Sequence, residues 1–109
     1  MKQFLLLLFL PILVQAYGPV QNDRNYQVQM DLTKVVDSKI KVTVVVPVLE
    51  QDDAVYSMPK MIPGTYKIYN YGQFVHELKA LDSKGNLLKV EVLNENQWKI
   101  EQAYELYKI

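Results

Sequence analysis

The sequence predicts an all-β fold, an antiparallel β-sandwich preceded by a signal peptide. Apolar and polar residues alternate in several short segments, turn-forming residues separate these segments at intervals of about eight to twelve residues, and no segment sustains a helical period. We therefore expect a signal peptide at 1–16, a leader at 17–25 and a single β-sandwich domain at 26–109.

The first segment has the features of a removed secretory signal. It begins with Lys2, is apolar throughout 4–14, and ends in Ala16, the small residue that signal peptidase requires. A membrane anchor is the alternative, but the run is shorter than the roughly 20 apolar residues that span a bilayer, and Pro11 interrupts it. We expect the mature protein to be secreted or periplasmic, with no membrane contact after cleavage of 1–16.

Two strands with one apolar face each are predicted at 26–32 and 40–48, separated by a polar break at 36–39, and the first of them is expected to be half-buried. A third, short strand is expected at 54–58. The apolar positions are Tyr26, Val28, Met30 and Leu32 in the first strand, and Ile40, Val42, Val44, Val46 and Val48 in the second.

The segment 58–72 predicts a sharp, rigid corner. Pro59 and Pro63 force the residues before them into extended backbone, and Pro63-Gly64 is the pair that a type II turn prefers at its two central positions. The alternation over 66–71 predicts that the chain then re-enters a sheet.

The remaining chain predicts strands at 74–82, 88–92 and 97–101, with Trp98 and Ile100 on one face of the last. Residues 82–86 form a hairpin turn with a glycine where positive φ is needed, and 94–96 form another turn. A final strand is predicted over 104–109, and the sequence ends before a turn signal follows it. Because such an end leaves unpaired backbone groups, we expect the domain to be truncated there.

Composition excludes several functions. The chain has 12 basic and 12 acidic side chains, so we expect no nucleic-acid partner. It has one histidine, His76, and no cysteine, so we expect neither a catalytic nor a metal-binding residue in this chain and no enzymatic activity by itself. Most of the tyrosines, including Tyr26, Tyr66 and Tyr104, are expected to pack in the core or at its rim, and a binding surface around Tyr66, Tyr69 and Tyr71 is the alternative.

A specific resemblance is carried by the corner and the segments after it. The chain resembles the N-terminal domain of the glycyl aminopeptidase family of zinc metallopeptidases (peptidase family M sixty-one) over roughly 26–109. The matching segments are Pro59-Lys60-Met61-Ile62-Pro63-Gly64-Thr65-Tyr66, Asn70-Tyr71-Gly72-Gln73-Phe74-Val75, Leu78-Lys79-Ala80-Leu81-Asp82 with Gly85, and Trp98-Lys99-Ile100. Met61 stands where many members carry tryptophan, and Asn70 stands where aspartate is common.

This resemblance implies a non-catalytic β-sandwich that braces a thermolysin-like catalytic domain and flanks its substrate cleft. The family's zinc is held by an H-E-x-x-H motif and a third acidic ligand in that domain, so no zinc or other cofactor is expected in this chain. The implied partner is the catalytic metallopeptidase domain of a full-length parent, and peptides are a candidate ligand. Six residues are implied as structural or at the cleft rim: Pro59, Pro63, Gly64, Tyr66, Tyr71 and Trp98.

A second hypothesis belongs to a different class of function. A free-standing secreted β-sandwich could bind a peptide or a glycan through the aromatic residues of the corner. A chain of this size without disulfides has only a small core, so we expect it to be marginally stable when it is not packed against a partner.

Overall fold

A computed structural model of the protein describes residues 25–109, and the predicted signal peptide and all but the last residue of the predicted leader lie outside that range. The described chain contains seven strands and two short 3₁₀ helices. The strands are β1 (Gln27–Met30), β2 (Val42–Val45), β3 (Asp53–Ser57), β4 (Ala80–Leu81), β5 (Leu87–Leu88), β6 (Val90–Asn94) and β7 (Gln97–Glu101), and the helices are Tyr71–Phe74 and Ala103–Glu105.

The strands form two antiparallel layers. In the first layer β1 pairs with β2 and β4 pairs with β5, and Lys108 bridges the two pairs by contacting Val45 on one side and Leu81 on the other. In the second layer the strand order is β3-β7-β6. The all-β, antiparallel sandwich that the sequence predicts is therefore confirmed.

The core lies between these two layers. Ile100, on β7, is 1% exposed and packs with residues from the opposite layer. Trp98 is also buried and lies against the Tyr56 ring, with 6.0 Å between the ring centroids. The predicted burial of one face of 97–101 is confirmed. The buried cluster consists of Val46, Ala80, Leu88, Ile100 and Leu106.

The end of the chain differs from the prediction of a final strand with unpaired backbone. Gln102 adopts a left-handed conformation with φ of 55°, which turns the chain out of β7 and into the second 3₁₀ helix. The last residues then insert between β2 and β4. Val44 and Ile109 exchange two backbone hydrogen bonds of 2.9 Å, and Leu81 N–H donates to the Lys108 carbonyl at 2.8 Å.

The predictions for the strand at 74–82 and for the burial of the first strand were also wrong. Only the last part of the predicted strand at 74–82 is a strand, because Phe74 ends a 3₁₀ helix and the alternation there is weak. The first strand is not half-buried, since every residue of β1 is exposed and both Val28 and Met30 are 58% exposed. Periodicity shows that one face of a strand is apolar, but not whether another layer covers it.

The hairpin between β4 and β5 is closed as predicted, with Gly85 at φ of 86°. Asp82 organises the turn: its Oδ1 accepts from the Asn86 N–H at 2.8 Å and from the Lys84 N–H at 2.9 Å, and its Oδ2 accepts from the Asn86 side-chain amide at 2.9 Å. The hydrogen bond from the Asn86 side chain is the largest cause that lowers the pKa of Asp82 below its ordinary value, followed by the Asn86 backbone N–H.

We expect this turn to be sensitive to acid. Because the folded-state pKa of Asp82 is lowered, its stabilising contribution is present above the ordinary value of 3.8 and is lost as the pH falls through the lowered pKa. An NMR titration of the Asp82 carboxyl carbon should give a midpoint below 3.8. Asn86→Ala should raise that midpoint, whereas Asn94→Ala, in a different hairpin, should leave it in place. An Asp82 midpoint that is the same in all three proteins would contradict this account.

Candidate functional site

The corner, residues 58–74, begins with the predicted turn. Gly64 has φ of 91°, the conformation that favours glycine at the third position of a type II turn. The turn is closed by the Thr65 N–H, which donates to the Ile62 carbonyl at 3.3 Å, while the Thr65 hydroxyl donates to the same carbonyl at 2.9 Å. Pro63 and Gly64 therefore take the positions that the sequence predicts for them.

Beyond the turn the chain does not re-enter a sheet, so the predicted strand over 66–71 was wrong. Tyr66 and Asn70 are both left-handed, with φ of 51° and 48°. These two reversals fold the segment back onto the start of the corner at Pro59 and Lys60. The Tyr71 N–H donates to the Pro59 carbonyl and the Asn70 N–H donates to the Lys60 carbonyl, both at 3.0 Å. The corner is closed by its own backbone before the first 3₁₀ helix begins.

A buried asparagine ties the corner to the β6–β7 turn. Asn96 is 4% exposed, and its Oδ1 accepts from the Gly72 N–H at 3.0 Å while its side-chain amide donates to Asn70 Oδ1 at 3.1 Å. Its backbone carbonyl accepts from the Met58 N–H at 2.8 Å. Asn96 therefore joins the two ends of the corner, Met58 at its start and Asn70 and Gly72 near its end. Because the Asn70 side chain accepts through an oxygen, it makes the contact that an aspartate could also make.

Gly72 is required by close packing rather than by backbone conformation. A Cβ built on Gly72 would lie 1.9 Å from the Glu95 carbonyl oxygen and 2.8 Å from the Asn96 Cα. Both are backbone atoms, so no side-chain rearrangement would relieve the contact. Neither Gly72 nor Asn96 was given a role from the sequence. Gly72 was named only within a segment of the family resemblance, and Asn96 only as part of a turn, a signal that many loops share.

The corner presents an apolar surface to solvent. We call it the corner surface, and it includes Tyr66, which is 96% exposed at the tip of the loop. Tyr71 connects two of its rings, with centroid distances of 5.9 Å to Tyr69 and 6.1 Å to Phe74. Lys67 Nζ lies 5.3 Å from the Tyr69 ring centroid. The corner surface consists of Met61, Ile62, Tyr66, Ile68, Tyr69 and Phe74, all of which are exposed.

The tyrosine prediction is corrected by these positions. Tyr26, Tyr66 and Tyr104 were expected to pack in the core or at its rim, but all three are exposed. Tyr66 and Tyr104 lie in a left-handed turn and a 3₁₀ helix rather than in strands, so the alternation used to place them does not apply.

Five of the six residues singled out from the sequence lie in the corner, and Trp98 lies in β7. Within residues 25–109, no group of three or more histidine, cysteine, aspartate or glutamate side chains is placed to hold a metal ion. In the same range, no helix is long and apolar enough to cross a membrane.

Comparison with known proteins gives one match. Residues 25–109 match the family model described as the Peptidase M61 N-terminal domain. No curated protein and no solved structure matches the chain. The match covers the whole described part of the chain, including the corner, the hairpin that contains Gly85 and the strand that contains Trp98.

Proposed function

Because the chain belongs to the Peptidase M61 N-terminal domain family, we propose that it is the non-catalytic, secreted domain that braces a metallopeptidase catalytic domain. In this proposal the corner surface docks against the catalytic domain and flanks its substrate cleft, where peptides bind. The observation that carries the proposal is an apolar surface that is exposed although backbone hydrogen bonds close the corner that carries it.

Two physical arguments support docking through the corner surface. Clusters of exposed apolar side chains are uncommon on monomeric soluble proteins and mark interaction sites, and tyrosine and phenylalanine are enriched in the cores of interfaces. The two ends of the corner are also joined without a partner, because Asn96 accepts from the Gly72 N–H at one end and from the Met58 N–H at the other. A preformed surface loses less conformational entropy on binding than a mobile loop does.

In this proposal zinc is bound by the catalytic domain and not by this chain. His76 is the single histidine of the chain, and the described residues provide no group of three candidate ligands. Residues 25–109 therefore do not fit a zinc site, and none of them is assigned a step in peptide hydrolysis.

We expect Tyr66→Ala and Phe74→Ala each to weaken binding to the catalytic domain by about tenfold or more, since truncating a central aromatic anchor costs about 2 kcal/mol in many interfaces. The partner is the catalytic domain of a family metallopeptidase from the same genome. Isothermal titration calorimetry with the separately purified domain measures the effect.

Leu87→Ala is the matched control, because Leu87 is 68% exposed and apolar but lies in β5, outside the corner surface. It should bind like the unmodified chain. Equal affinities for all four proteins would contradict docking through the corner surface. A genome without any family catalytic domain would contradict the bracing function itself.

The free-standing module is the second candidate, favoured by the aromatic row Tyr69-Tyr71-Phe74 with Lys67 beside it. Aromatic faces of this kind stack on sugars and on peptide side chains. Amide chemical shifts of the corner, followed as a peptide or glycan library is added to the chain alone, distinguish this candidate from a surface that binds only the catalytic domain.

A further inference from the structure

The outer edge of β1 is open among residues 25–109, and it lacks the features that protect such edges. Proteins prevent edge-to-edge pairing with charged residues, proline, bulges or very short edge strands. Residues Gln27–Met30 contain no charge and no proline, and they pair with β2 without a register shift. All four are exposed.

The other three edges of the two layers are protected. β5 is only two residues long, β3 begins with Asp53, and β6 contains Glu91 and a register shift between Val92 and Asn94. Among the described strands, β1 is therefore the edge to which a further strand can most readily pair.

The backbone groups that face this edge can be identified. Val44 N–H and C=O both bond to Ile109, so they point away from β1. Val28 is opposite Val44, and in an antiparallel ladder two opposite residues either exchange both bonds or point both groups outward. Val28 therefore presents its N–H and its C=O to the open edge, and by the two-residue period so does Met30.

The sequence of this edge is complementary to itself. Tyr26-Gln27-Val28-Gln29-Met30 reads apolar, polar, apolar, polar, apolar in either direction. Antiparallel pairing of two copies about Val28 places valine opposite valine, tyrosine opposite methionine, and Gln27 opposite Gln29. No like charges meet in this register. Gln27 and Gln29 face each other at positions whose backbone groups do not bond across the edge, so their side chains are close enough for the amides to hydrogen-bond to each other.

We infer that β1 is a homodimerisation edge whose partner is a second copy of this chain, paired antiparallel about a two-fold axis at Val28. Such an interface is isologous, because each copy contributes the same strand to the other. The two first layers become one continuous sheet across the dimer. This inference does not depend on the proposed function, since it uses a different surface from the corner surface.

Two variants test the backbone part of the pairing. Val28→Pro removes the outward N–H without removing a bond to β2, and an edge strand tolerates proline at such a position. Val28→Thr is the matched control, since it keeps both the N–H and the β-branch. Sedimentation equilibrium of the protein expressed from all 109 codons, over a series of concentrations, measures the mass.

A charge-swap pair tests the register and does not depend on how well the proline variant folds. One variant carries Gln27→Lys and Gln29→Lys, and the other carries Gln27→Glu and Gln29→Glu. Each places like charges opposite each other in a homodimer, so each should stay monomeric, whereas their mixture places lysine opposite glutamate and should form a heterodimer.

The inference predicts a twofold larger mass for the unmodified chain and for Val28→Thr at high concentration, a single-chain mass for Val28→Pro, and a return to the twofold mass only when the two charge variants are mixed. An unmodified chain that stays monomeric at its highest soluble concentration would overturn it. So would a dimer that persists in each charge variant alone.

Discussion

Replacing Gly72 by alanine is expected to lower the free energy of unfolding by about 3 kcal/mol or more. Overpacking of this kind usually costs about 1–3 kcal/mol, and here the added methyl meets the Glu95 carbonyl at 1.9 Å, where only backbone movement can relieve the contact. That movement would also break the hydrogen bond from the Gly72 N–H to Asn96. Urea unfolding followed by tryptophan fluorescence measures the change, since Trp98 is the single tryptophan and lies close in sequence to Asn96.

Gln73→Ala is the control for this measurement. It lies in the same 3₁₀ helix and loses only an exposed hydrogen bond to the Tyr69 carbonyl, so it should cost less than about 1 kcal/mol. Equal stabilities for Gly72→Ala and the unmodified chain would show that the corner does not pack against the β6–β7 turn as described.

Replacing Ile100 by alanine is expected to cost about 2–5 kcal/mol, the usual range for a buried isoleucine truncated to alanine. Ile100 is the largest fully buried side chain of the described residues, and it packs with residues of the first layer such as Val46, Ala80 and Leu88. Because a small domain has little stability to lose, this change should leave much of the chain unfolded at room temperature. Differential scanning calorimetry with matched protein concentrations measures the loss.

Val92→Ala is the control for the core, because Val92 is 67% exposed on the neighbouring strand β6. Surface changes of this kind usually stay within about 0.5 kcal/mol of the unmodified protein. If Val92→Ala and Ile100→Ala unfolded together, the assignment of the core to the space between the two layers would be wrong.

The sequence predicted the features that depend on local chemistry. The turn at Pro63-Gly64 and the hairpin at Gly85 require positive φ at a glycine, and both have it. The strand that carries Trp98 and Ile100 alternates as expected, because one of its faces is covered by the other layer.

The features that sequence analysis missed depend on contacts between distant residues. Nothing local shows that Asn96 will accept from Gly72, because the two are 24 positions apart. The left-handed conformations of Tyr66 and Asn70 cannot be read from an alternating pattern. The exposure of Tyr66 is likewise a property of what the corner packs against, rather than of the tyrosine itself.

The most direct test of docking through the corner surface is hydrogen–deuterium exchange of the chain with and without the catalytic domain of a family protein. Docking should slow the exchange of backbone amides over residues 61–69 in the complex and leave exchange in the 82–86 hairpin turn unchanged. Unchanged exchange throughout the corner, together with slower exchange elsewhere in residues 25–109, would contradict docking through the corner surface.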